Sequence, residues 1–272
     1  MEREFDIARI ADPEYFAEGC LSAHSDHSYF ASAKEAEKGK SSYIRSLDGK
    51  WKFYYAENQA SVPEGFQKPG FDVHAWDEIR VPGHLQTQGY DAPMYVNTQY
   101  PWDGHEEINP GMVPEKFNPI GCYVKDILLP AFPRGRKAGL CLEGAESGAA
   151  VWCNGHYIGY CTDSFTPHSF ELTPYLTEGT NRIAVMVIKW TAASWCEDQD
   201  FFRFSGLFRP VSLFVIPEEH ANELPEVHYT VVRAALGQMG VGGDNSWGAE
   251  THPEYHLPYG KKLTFTFTMK AI

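Results

Sequence analysis

Residues 181–190 read NRIAVMVIKW, and this segment constrains the fold more than any other. Strand alternation puts Ile183, Val185 and Val187 on one face and Ala184, Met186 and Ile188 on the other. A strand that is apolar on both faces must be covered on both, so it belongs inside a sheet with a packing layer on each side. A neighbouring hairpin is written at Ala149–Tyr160, where Asn154-Gly155 interrupts two apolar runs. That pair accepts the positive φ values of a type I′ turn. Other short strands surround these two. Trp51, Phe53 and Tyr55 alternate in LDGKWKFYYA, Ile79 and Val81 precede Pro82-Gly83, and Cys122, Val124 and Ile127 line 121–129. Further apolar runs cover 140–144, 169–172 and 207–216. Aromatic residues make up 14% of the chain, and 24 Gly with 18 Pro supply the turns, which favours many short strands over a helical bundle. The pattern predicts an all-β sandwich or jelly roll.

The flanks differ. The first forty or so residues lack a sustained period, with room for one or two helical turns at Ala33–Lys38. Residues 82–119 form a Pro-rich stretch of the length that serves function or an interface in compact domains. Charge and proline at 217–225 mark a boundary. Beyond it, HYTVVRAAL and KKLTFTFTMK predict two strands around a Gly-rich loop, too little to bury a core unaided.

Charge excludes several function classes. Against 23 Lys and Arg stand 36 Asp and Glu, a net of -13. No basic face is available to displace counterions from nucleic acid or to bind anionic lipid, and Arg134, Arg136 and Lys137 read as a solvated turn. No run of 18 apolar residues is present, and MEREFDIARI lacks the apolar core of a secretory signal, so the expected compartment is the cytoplasm. The cysteines at 20, 122, 141, 153, 161 and 196 show no CxxC or zinc spacing and read as free thiols in a reducing compartment. His24 and His27, at i, i+3, read as ordinary polar residues. GVGGD lacks the spacing and strand–helix context of a phosphate loop.

Six segments occur in order: RSLDGKWKFYY, VPGHLQTQGYDAPMYVN, NPIGCYV, VWCNGHYIGYCTDSFTPHSFELTPYL, NRIAVMVIKW and EDQDFFRFSGLFRPV. Together they resemble the N-terminal sugar-binding jelly-roll domain of bacterial β-galactosidases of glycoside hydrolase family 2, over roughly residues 1–220. The leader ADPEYFAEGCLSAHSDHSYF resembles the segment preceding that domain. GQMGVGGDNSWGAETHPEYHLP and the strand after it resemble the extreme C-terminus of the same enzymes, and Trp247 then reads as a packing residue. The resemblance implies an irregular leader over 1–46, a galactose-binding-like jelly roll over 47–220 and a remnant of the C-terminal sandwich over 221–272. It implies that the catalytic barrel between them is missing, whether by deletion or rearrangement. Retaining hydrolysis needs two carboxyl groups about 5–5.5 Å apart. In this family both come from the barrel, so no catalytic residue is expected here and no glycosidase activity from the chain alone.

The resemblance also nominates binding residues. Asp200 matches an aspartate that reaches the galactose subsite and a sodium ion; a capping or salt-bridging loop carboxylate is the other reading. Magnesium retention is not expected. Glu146 stands where the best-known relatives carry a sugar-contacting asparagine, or is an ordinary loop glutamate. Trp102, beside Asp103, Glu106 and Glu107 in the Pro-rich stretch, offers an aromatic face for sugar C–H groups. Trp152 and Trp190 read as core, and Trp195 lies nearer the acidic loop Glu197, Asp198 and Asp200. Arg203 and Arg209 read as structural balance to that loop. Expected partners are galactosides, bound weakly, with a barrel-bearing β-galactosidase polypeptide or self-association as alternatives.

Overall fold

The computed structural model describes residues 3–22, 29–109, 111–129, 136–196, 200–216 and Pro253. The chain divides into two compact units, Met1–Glu223 and Leu224–Ile272, and every described strand lies in the first. The strands expected in HYTVVRAAL and KKLTFTFTMK lie outside the described residues, as do His24, His27, Arg134, Glu197, Asp198 and Trp247.

The doubly apolar segment is a ten-residue strand near the middle of the larger sheet. In chain order the strands are β1 (Ala17–Glu18), β2 (Ile44–Ser46), β3 (Gly49–Ala56), β4 (Asp77–Val81), β5 (Met94–Val96), β6 (Ile120–Leu129), β7 (Lys137–Leu142), β8 (Gly148–Cys153), β9 (His156–Cys161), β10 (His168–Glu171), β11 (Gly179–Ile188), β12 (Phe201–Arg203) and β13 (Val211–Ile216). Seven form one sheet in the order β1-β9-β8-β11-β6-β3-β4, and four form a second in the order β10-β7-β13-β2. All these pairings are antiparallel. The architecture is the expected jelly-roll-like sandwich. The closing strand is shorter than 207–216 suggested, because residues 203–210 are bound up in a separate set of contacts described below.

The two faces of β11 meet two different cores. Ile183, Val185 and Val187 join Trp51, Phe53, Tyr123 and Val151 from their own sheet and Leu140, Leu142, Phe170 and Leu213 from the other, filling the sandwich. Ala184, Met186 and Ile188 join Cys122, Val124, Trp152, Tyr157 and Tyr160 on the outer face. Each fully buried Val or Ile contributes about 1.5–3 kcal/mol of transfer free energy. The Asn154-Gly155 turn has φ 52 and 86, as a type I′ turn requires.

The outer face is covered by the leader and by 62–76. Ile10 and Tyr15 of the leader pack there with Phe66 and Val73. Tyr15 stacks on Tyr160 at 4.7 Å, and Phe5 meets Trp152, Tyr157 and Tyr160 at 5.7 Å each. The hydroxyls of Tyr15 and Tyr157 both donate to Glu18 Oε2, at 3.0 and 2.9 Å. The backbones of β1 and β9 come so close that a Cβ on Gly159 would sit 2.1 Å from the Glu18 carbonyl oxygen. Ala33–Lys38 is one short helix, capped by Ser32 accepting from the Glu35 N–H.

The six cysteines are all free thiols, with Cys122, Cys153 and Cys161 buried, Cys20 and Cys141 half-buried and Cys196 exposed. Burial pushes the Cys20 thiol up to about 11 and Cys153 up to about 12, so both stay protonated at neutral pH. Among the described residues no helix is long and apolar enough to cross a membrane.

Candidate functional site

β5 and β12 pair with each other in a two-stranded ribbon of their own. Phe201 faces Val96, Phe202 faces Tyr95 and Arg203 faces Met94. Asp200 has φ 63, in the left-handed region that aspartate enters more readily than most residues because its short side chain bonds locally. The Tyr95 hydroxyl donates to Asp200 Oδ1, and that hydrogen bond is the main reason the Tyr95 pKa is raised. Tyr95 therefore remains a donor at neutral pH. An ionised carboxylate has about four acceptor positions, so one phenol leaves capacity for sugar hydroxyls.

The ribbon carries exposed aromatic rings on both of its faces, Phe202 beside Tyr95 and Phe201 on the opposite side. Tyr95, Phe201 and Phe202 are each at least two-fifths exposed. Tyr95 packs on Phe202 at 5.4 Å, and Phe165 meets Phe201 edge-on at 6.1 Å. Such an apolar apron beside a polar acceptor suits a sugar, which presents C–H faces and hydroxyl rims.

The ribbon springs from a clamped base. Glu146 and Gly206 exchange backbone hydrogen bonds, each 3.1 Å, and the Phe204 N–H donates to Glu146 Oε1 at 3.2 Å. Gln86 grips Ser205 twice, accepting from its N–H and donating to its hydroxyl, both at 3.0 Å. Gln86 also donates to Asp91, whose carboxylate pairs with the buried Lys189 ammonium. The Gly83 and Leu85 N–H groups donate to the carbonyls of Leu207 and Ser205.

The nominated residues thus fall in different places. Asp200 is exposed on the ribbon. Glu146 is 7% exposed and points inward, with Oε2 lying 3.8 Å from His84 Nδ1. That separation exceeds a hydrogen bond, and burial holds the His84 pKa below its ordinary value. Trp102 needs a correction: it is 2% exposed, stacked parallel to Tyr100 and packed on Trp190 and Trp195. Its ring faces are taken because the Pro-rich stretch folds back onto Trp190, and Tyr100 is the exposed ring of that stack. Trp152 and Trp190 are buried, as expected. Glu106 accepts the N–H groups of Glu115, Lys116 and Phe117, a turn-closing role. Sequence reasoning misses Tyr95 and Gln86, although both lie in the quoted segment VPGHLQTQGYDAPMYVN.

Among the described residues no group of three His, Cys, Asp or Glu side chains is placed to hold a metal. Hard cations take several oxygen ligands, typically six or more. Asp200 with one phenol is a partial ligand set and does not by itself fit a sodium ion.

Comparison with known proteins shows the family. The profile of the sugar-binding domain of glycosyl hydrolases family 2 matches residues 44–217. The chain belongs to this family. A second profile, β-galactosidase small chain, matches residues 167–269 of the family 2 chain. Over 225 residues it is 45% identical to a β-galactosidase of Halalkalibacterium halodurans, covering 82% of this chain and 22% of that enzyme. Over 231 residues it is 42% identical to a β-galactosidase large subunit of Latilactobacillus sakei, covering 80% of this chain and 37% of that subunit. A Bacteroides uniformis β-glucuronidase structure aligns with TM-score 0.47 and 22% identity, over 64% of this chain and 18% of its own. The family 2 chain therefore spans between about a fifth and two-fifths of these curated relatives.

Proposed function

We propose that this chain is a galactoside-binding element of β-galactosidase ancestry that does not cleave glycosides by itself. The observation that carries the reading is Asp200, an exposed carboxylate oriented by Tyr95 on a ribbon that also exposes Phe202 beside Tyr95. The carboxylate takes hydrogen bonds from adjacent hydroxyls of a terminal β-galactoside while the sugar's C–H face lies on the aromatic rings. An open surface buries less of a sugar than a closed pocket, so affinity in the millimolar range is expected. A sodium ion enters this proposal only with oxygen ligands from outside the described residues.

The absence of hydrolysis follows from the chemistry of the nominated groups. A retaining mechanism needs one carboxyl as nucleophile and one as acid, about 5–5.5 Å apart across the bond. Glu146 is turned inward onto the Phe204 N–H, and it lies beyond the far end of β12 from Asp200. Purified chain is therefore expected to release no nitrophenol from a nitrophenyl β-galactoside. Release that disappears on Asp200→Ala would overturn the non-catalytic reading.

A second reading makes the chain one component of a divided enzyme. What favours it is that three matching relatives are named β-galactosidase large subunits and that the small-chain profile matches here too. Mixing the chain with a barrel-bearing β-galactosidase polypeptide then yields activity that neither has alone. Self-association through Tyr95, Phe201 and Phe202 is a third reading, tested by sedimentation.

A further inference from the structure

We propose that Gln86 is a positioning residue for Asp200, and that the buried Lys189–Asp91 pair acts on the ribbon through it. The inference rests on the reading of Asp200 as the sugar-contacting group. Gln86 opens a single 3-10 turn, Gln86–Gln88, in the segment that leads into β5. Its Oε1 accepts the Ser205 N–H at 3.0 Å, and its Nε2 donates to Ser205 Oγ at 3.0 Å and to Asp91 Oδ2 at 2.8 Å. Asp91 Oδ2 also accepts from the Lys189 ammonium, and Oδ1 accepts the Ala92 N–H at 2.9 Å. Gln86, Ser205 and Lys189 are all buried.

These contacts tie the roots of both ribbon strands to the centre of the sandwich. Asp91 and Ala92 lead into β5, Ser205 follows β12, and Lys189 directly follows β11. A two-stranded ribbon has little stability of its own, so its direction is set where it is anchored. Ser205 and Asp200 lie beyond opposite ends of β12, so a small rotation at the root displaces the carboxylate. Tyr95 can then meet Asp200 only if both strands leave the root in the right direction.

Elementary donor and acceptor chemistry fixes which way the Gln86 amide faces. A carboxamide has one acceptor end and one donor end, whereas a carboxylate offers acceptors only. Asp91 therefore draws the Nε2 end, which leaves Oε1 for the Ser205 N–H. The reversed amide would set oxygen against carboxylate and N–H against N–H. Lys189 holds the Asp91 carboxylate in place, and Asp91 in turn keeps the buried ammonium from being stranded. The opposite charges of the pair serve folding, while the acceptor that Asp91 offers to Gln86 serves the ribbon. Substitution can separate the two roles.

The test compares wild type with two double variants that both remove the buried charges: Asp91→Leu with Lys189→Met, and Asp91→Asn with Lys189→Met. Only the Asp91→Asn pair keeps an acceptor for Gln86 Nε2. Each protein is followed by thermal unfolding, by hydrogen exchange over residues 200–206 and by titration with methyl β-galactoside. The Asp91→Asn pair is expected to keep exchange and galactoside affinity within about twofold of wild type. The Asp91→Leu pair is expected to unfold at a similar temperature, yet to exchange faster over 200–206 and to bind galactoside more weakly, each by about tenfold. An Asp91→Leu pair that exchanges and binds like wild type, or an Asp91→Asn pair as impaired as it, would overturn the proposal. If the Asp91→Leu pair fails to fold, Gln86→Met, which keeps the ion pair, decides in the same assays: faster exchange with weaker binding supports the role, and wild-type values refute it. If the wild type binds no galactoside, the reading of Asp200 fails, while the exchange arm still decides the positioning role.

Discussion

The Tyr95 hydroxyl donates to the Asp200 carboxylate across the β5–β12 ribbon, joining two residues that are 105 apart in sequence. The bond orients a side chain whose own backbone is in the left-handed region. Removing the donor with Tyr95→Phe leaves an exposed carboxylate free to rotate. Galactoside affinity is expected to fall severalfold with no change in thermal midpoint, because neither group is buried. Calorimetric titration beside a melting curve checks both halves. A stability loss with unchanged affinity would assign the contact to folding instead.

Lys189 and Asp91 form a buried pair, with the ammonium fully covered and further contact to the Trp190 ring at 4.9 Å. Asp91→Ala strands the ammonium in the interior and is expected to cost about 3–5 kcal/mol. The double variant Asp91→Leu with Lys189→Met removes both charges and should recover most of that loss. Urea unfolding of the single and double variants measures the coupling. A double variant no better than Asp91→Ala would refute the stranded-charge account.

Gly159 faces the Glu18 carbonyl oxygen, where a Cβ would lie 2.1 Å away. The obstacle is backbone, which cannot swing aside as a side chain can. Gly159→Ala is therefore expected to pry β1 from β9, costing about 1–3 kcal/mol. The leader should become more sensitive to protease while the hairpin from β8 to β9 persists. Equal protease resistance in both proteins would show that the leader is held elsewhere.

These elements were unequally legible in the sequence. The doubly apolar β11 and the Asn154-Gly155 turn announce themselves because periodicity and turn chemistry are local. The packing of Phe5 and Tyr15 onto Tyr157 and Tyr160 is invisible there, since it joins residues more than 140 apart with no period to betray it. Trp102 looked available because proline-rich stretches are usually exposed; long-range stacking on Trp190 and Trp195 buries it. Asp200 was found by resemblance to a motif. Its neighbour Tyr95 becomes one only through the pairing of β5 with β12, which spacing cannot supply.

Glu18 gives a pH signature. Burial pushes its carboxyl pKa up, but hydrogen bonds from Tyr157 and Tyr15 and the charge of Arg9 pull harder, leaving it below the ordinary value of 4.5. A lowered folded pKa means that the unfolded chain binds the extra proton first, so the stabilisation is present above about pH 4.5 and is lost as pH falls through the folded value. The stability difference between wild type and Glu18→Gln should be constant near neutrality and shrink below pH 4.5. Chemical unfolding at a series of pH values measures it. A difference that grew on acidification would reverse the sign and refute the assignment.

The central claim is that Asp200 and its ribbon bind a galactoside. An NMR titration of the isotope-labelled chain with methyl β-galactoside tests it most directly. The account predicts saturable shifts at amides of residues 95–97 and 200–203 with a Kd of order millimolar, abolished by Asp200→Ala. No shift up to about 100 mM sugar, or shifts that persist unchanged in Asp200→Ala, would contradict it.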